Sequence, residues 1–111
     1  MDGTFTGKRP LRALLVEDDE QARLRHAKRL GTQGYDVTQT GDWESGIVLA
    51  RSTRPEVIFV HLAGAGSPAL DFLQKLRADD TMRHIPVSML GGQGTGRLNG
   101  LGLHAVGGEG W

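Results

Sequence analysis

The run Val57-Ile58-Phe59-Val60 constrains this chain more than any other stretch. It is β-branched or aromatic throughout, with no polar alternation, as a strand covered on both faces by helices reads. Pro55 marks its approach, and Gly64, Gly66 and Pro68 close it in a loop. The run ends in His61 and Leu62. An ionisable ring therefore stands at the carboxyl end of a central strand, the edge where open α/β sheets build their sites.

The rest of the chain supplies partners for such a strand. Arg12 to Val16 is a short apolar run leading into Glu17-Asp18-Asp19-Glu20. Two of these carboxylates suit the N-terminus of the helix that follows. Glu20 to Gln33 has helical spacing with Ala22, His26 or Ala27, and Leu30 on one face, and Gly34 ends it. Tyr35 to Thr40 alternates as a half-buried edge strand does. Asp42 is an N-cap for a helix from Trp43 to about Ser52, with Trp43, Ile47 and Ala50 inward.

After the central strand, Ala69 to Ala78 is helical with Leu70, Leu73, Leu76 and Arg77 on one stripe and Phe72 beside it. Ile85 to Leu90 reads as a fourth strand. Gly91 to Gly102 is too rich in glycine for a stable helix, since each interior glycine costs roughly 1 kcal/mol relative to alanine. Leu103 to Val106 is a short fifth strand.

Strands alternating with helices imply right-handed crossovers and an α/β fold with a parallel sheet. The expected organisation is a leader over residues 1–10, one domain over 11–107, and a glycine-rich tail over 108–111. With 111 residues there is room for one core. A formal net charge of +0, with both signs interspersed, gives no pointer to nucleic acid or to an anionic membrane. The absence of cysteine removes thiolate metal sites and suits a reducing cytoplasm.

Several pieces, in order, resemble the receiver domain of bacterial two-component response regulators. Leu14-Leu15-Val16-Glu17-Asp18-Asp19 is similar to that family's first strand and acidic pair, and Gly34-Tyr35-Asp36-Val37 to its second strand. Arg54-Pro55-Glu56-Val57-Ile58 resembles the approach to strand three, and Leu73-Gln74-Lys75-Leu76-Arg77 with Ile85-Pro86-Val87 resembles helix three and strand four. The resemblance covers Leu11 to Leu90. It implies a doubly wound, flavodoxin-like sheet of five parallel strands in the order 2-1-3-4-5, here with a weak fourth helix and no fifth.

It also implies a site: a carboxylate at the end of strand three that accepts a phosphoryl group, an acidic pair that holds Mg²⁺, and a hydroxyl and a lysine that contact the phosphoryl oxygens. Carried over by position, Glu17 and Asp18 stand at the acidic pair. The acceptor position is His61, the hydroxyl position Gly91, the lysine position Glu109, and the aromatic of strand five Val106. Nucleophile, hydroxyl and cation are all replaced.

The expectation is therefore a pseudo-receiver: no enzyme, no cofactor, no functional Mg²⁺, acting through contact with a signalling partner or output domain in the cytoplasm. His61 is expected to fill the volume of the lost acceptor and, when protonated, to pair with Glu17 or Asp18. Were a metal held by Glu17, Asp18 and His61, imidazole would favour Zn²⁺, Ni²⁺ or Cu²⁺. The alternative function is a receiver that senses a small ligand or metal in the vacated pocket. A phosphorylated His61 is disfavoured by the flanking acids, and His26, His84 and His104 read as surface or packing residues. The glycines of Gly91 to Gly96 lack the Lys-Ser/Thr ending of a phosphate loop. If the chain ends at Trp111, strands four and five lose a covering helix. Val87, Met89 and Val106 are then candidates for an exposed face that meets a partner or a second copy.

Overall fold

The computed structural model describes residues 9–61, 67–90 and 103–105. Its elements are β1 (Leu11–Val16), α1 (Glu20–Thr32), β2 (Tyr35–Thr40), α2 (Trp43–Thr53), β3 (Val57–His61), α3 (Ser67–Ala78), β4 (Val87–Leu90) and β5 (Leu103–Ala105). They form one sheet in the order β2-β1-β3-β4-β5, with every neighbouring pair parallel. This is the α/β architecture and strand order expected from the sequence.

Period-two alternation divides the sheet's side chains between two faces. Leu14 and Val16 of β1, Ile58 and Val60 of β3, and Val87 and Met89 of β4 pack with Ala50 of α2 and with Phe72, Leu73 and Leu76 of α3. The interleaved residues Ala13, Leu15, Phe59 and Leu90 pack on the other face with Leu30 of α1. The unbroken apolar run of β3 is the consequence: both of its faces are covered.

Local chemistry sets the helix ends. The Asp19 carboxylate accepts from the Ala22 N–H at 2.8 Å and caps α1. Asp42 accepts from Ser45 N–H at 2.9 Å and from its hydroxyl at 2.8 Å, capping α2. Gly34, at φ 100°, turns the chain from α1 into β2 in a conformation that side chains resist. Arg54, at φ 50°, ends α2, and Arg12 Nη1 donates to its carbonyl at 2.6 Å.

Two expectations are corrected. Leu70 of α3 is exposed, and the buried stripe is Ala69, Phe72, Leu73 and Leu76. The helix is rotated so that Phe72, which meets Trp43 edge to face at 5.2 Å, fills the space beneath α2. Val87 and Met89 are buried at 0% and 1% exposure, because their strand parity points them towards α3 and not to the opposite face. The two cannot supply an exposed interface. The expected weak fourth helix, the missing fifth, Val106, and most of the leader and tail lie outside the described residues.

Candidate functional site

The register of the central strands assembles the site. Leu15 lies opposite Phe59 and Val16 opposite Val60. One further step brings Glu17 opposite His61, on the sheet face that α1 covers. Glu17 N–H donates to the Thr40 carbonyl at 3.0 Å, so the chain leaves the sheet only after Glu17 has been fixed at its edge. Arg23 Nη1 donates to the Glu17 carbonyl at 3.1 Å and ties the same corner to α1.

The Glu17 side chain is 2% exposed. Burying a carboxylate is costly unless its oxygens are satisfied, and both are. Oε2 accepts from the Asp19 N–H at 2.9 Å. Oε1 takes a short hydrogen bond from His61 Nδ1. His61 itself is about a quarter exposed, so one edge of its ring reaches solvent.

A third group completes the cluster. His26, on the inner face of α1 between Ala22 and Leu30, is 1% exposed. Its ring meets that of His61 edge to face, with centroids 5.3 Å apart. Burial, and then the positive charges of His61, Arg25 and Arg29, lower its pKa from 6.5 to about 4. At neutral pH His26 is therefore a neutral imidazole. Among the described residues, Glu17, His26 and His61 each offer a potential ligand atom, and these atoms lie within 4.8 Å of one another.

The structure thus joins Glu17 to His61 and leaves Asp18 exposed, outside the cluster. Gly91, Val106 and Glu109 lie outside the described residues. His84 is exposed, as an ordinary surface residue is. His26 is the participant that sequence reasoning missed. Its signal was present in the Ala22–His26–Leu30 stripe, which put an imidazole on a buried face.

No protein-family model matches the chain. Residues of the chain align at 31% identity over 81 residues with the probable transcriptional regulatory protein TcrX of Mycobacterium tuberculosis, covering 73% of this chain and 34% of that protein. The polar-differentiation response regulator DivK of Brucella anthropi is 30% identical over 78 residues, 70% of this chain and 63% of DivK. The chemotaxis response regulator CheY4 of Vibrio cholerae superposes with a TM-score of 0.76 at 18% identity, over 92% of this chain and 88% of CheY4.

The chain has the fold of the CheY-like receiver domains and is similar in sequence to the receivers of response regulators. The receiver spans about a third of TcrX and under two thirds of DivK. It also superposes on the pseudo-receiver domain of the CikA protein, with a TM-score of 0.72 and 22% identity over 89% of this chain and 84% of that domain. Among the described residues no helix is long and apolar enough to cross a membrane. In this receiver the end of β3 carries an imidazole bonded to a buried glutamate where the family resemblance places an acceptor carboxylate.

Proposed function

We propose that this receiver works in two-component signalling without forming an aspartyl phosphate, as a cytoplasmic protein-interaction module and not as an enzyme. One observation carries the reading: His61, at the acceptor position, is held by the buried Glu17 of the acidic-pair position. An oxygen nucleophile is absent from the end of β3. With an imidazole where the third carboxylate would stand and Glu17 bonded to it, the end of β3 is poorly suited to an all-oxygen Mg²⁺ cage. Similarity in fold to a domain described as a pseudo-receiver is consistent with this. The partner is a signalling protein or an output domain. The charge balance favours protein contact over nucleic acid.

The test is incubation with a small-molecule phosphodonor and Mg²⁺, followed by intact-mass measurement. The expected spectrum is that of the unmodified chain. A phosphoryl adduct would overturn the proposal, and mapping it would identify the true acceptor.

A further inference from the structure

We infer that Glu17, His26 and His61 form a binding site for a borderline divalent transition ion of the Zn²⁺ class. From the sequence no metal is expected, and Glu17, Asp18 and His61 are the donors of any that binds. The structure replaces the exposed Asp18 with the buried His26. The donor set becomes one carboxylate and two imidazoles, which suits Zn²⁺, Cu²⁺ or Ni²⁺ and is poor for Mg²⁺ or Ca²⁺.

The geometry fits such an ion. Metal–ligand bonds of about 2.0–2.2 Å in a tetrahedron space the donor atoms roughly 3.4 Å apart. The three groups lie within 4.8 Å of one another, with the Glu17–His61 contact shorter than the ideal spacing. Bringing the donors to that spacing means opening the Glu17–His61 contact and closing the others. The ligands come from three different places in the fold: the residue just after β1, the middle of α1 and the end of β3. They are therefore fixed by the packed sheet and not by a loop.

An outer shell already exists. Asp19 N–H donates to Glu17 Oε2 at 2.9 Å and leaves Oε1 directed at the imidazole. Bonds of this kind orient a ligating carboxylate. His61, partly exposed, is the side from which an ion would reach the cluster. Arg25, exposed and screened by solvent, and the half-buried Arg29 oppose a cation. Binding would lock α1 to the ends of β1 and β3. A metal ion would thus control the corner of the sheet where the family resemblance places phosphoryl chemistry.

The experiment uses the full chain, stripped with chelator and titrated with Zn²⁺, Co²⁺ or Mg²⁺ alone. Calorimetry should show one Zn²⁺ per chain and a raised melting temperature, and Co²⁺ should give the intense visible absorption of a tetrahedral site. Mg²⁺ should give neither. Zn²⁺ affinity should fall at least about tenfold in His61→Gln and in His26→Gln; Asp18→Asn should leave it unchanged. Should His26→Gln fail to fold, the partly exposed His61 carries the test alone. Absence of stoichiometric Zn²⁺ binding, or affinity unchanged in His61→Gln, overturns the site. Loss of affinity in Asp18→Asn equal to that in His61→Gln would move the ion to the acidic pair and also overturn it. These readouts contain no phosphodonor, so their failure is distinguishable from failure of the phosphorylation-independent reading.

Discussion

His26 and His61 meet edge to face, their ring planes inclined at 64°. The contact joins the inner face of α1 to the end of β3 on the side of the sheet that also carries Glu17. Burial first, and then the proximity of His61, lowers the pKa of His26. A buried glutamate with two imidazoles beside it is thus a polar cluster set into an otherwise apolar layer of Ala13, Leu15, Leu30, Phe59 and Leu90.

Glu17→Gln tests what holds the corner. Glutamine keeps the volume and can still accept from Asp19 N–H, but it loses the charge that receives the His61 bond. Charge-assisted bonds contribute roughly 1.5–3 kcal/mol, and the partly exposed His61 recovers some of this from water. Urea denaturation in metal-free buffer should show a loss of about 1–2 kcal/mol. Asp18→Asn, at an exposed position, should stay within about 0.5 kcal/mol of wild type. Equal effects from the two substitutions would contradict the assignment of the pair to Glu17.

Gly46→Ala sets helix propensity against packing. Gly46 lies inside α2, where alanine is favoured by roughly 1 kcal/mol on propensity alone. A Cβ there would stand 3.0 Å from Phe72 Cε1 and 3.0 Å from Val16 Cγ2. Both neighbours are buried, at 1% and 0% exposure, so each must give by a few tenths of an ångström within a packed layer. Overpacking of this kind costs typically 1–3 kcal/mol. The net result should be destabilisation by about 1 kcal/mol in the same assay, whereas a gain in stability would show that α2 slides freely.

The Val57–Val60 run announced a strand buried on both faces because its composition leaves no other arrangement, and Asp42 announced a helix because few residues cap as well. Other features were less accessible. Phe72 and Leu70 are two residues apart, and which of them faces inward depends on a helix rotation fixed by Trp43 across the layer. The parity of β4 was open until its register with β3 was known, so Val87 and Met89 could be placed on the wrong face. His61 was marked by its place at the end of the apolar run, and Glu17 by the family resemblance. The approach of His26 to them is a tertiary fact, set by how α1 lies on the sheet, with no local spacing to announce it.

Asp42→Ala should cost about 1 kcal/mol, within the usual range for loss of an N-cap. The carboxylate accepts both the backbone and the hydroxyl hydrogen of Ser45, which lowers its pKa. Asparagine retains an acceptor oxygen, so Asp42→Asn should lose markedly less. Thermal melts of the two variants side by side distinguish a capping role from one due to charge alone, for which both substitutions would cost the same.

Glu56 should govern part of the acid sensitivity. It takes hydrogen bonds from the Arg9 guanidinium, at 2.6 and 3.1 Å, and from the Arg12 N–H at 2.9 Å. These bonds, that from Arg9 foremost, lower its pKa from 4.5 to about 2. With the folded pKa depressed, the unfolded chain binds the proton more readily between these two values. The contribution of Glu56 to stability is therefore fully present above about pH 4.5 and is lost as pH falls towards 2. Glu56→Gln removes that titration while keeping an acceptor for Arg12. Denaturant unfolding across the acid range should show the gap between wild type and variant constant above about pH 4.5 and closing below it. A gap that stays constant down to pH 2 would mean that Arg9 and Arg12 do not hold the carboxylate in the folded chain.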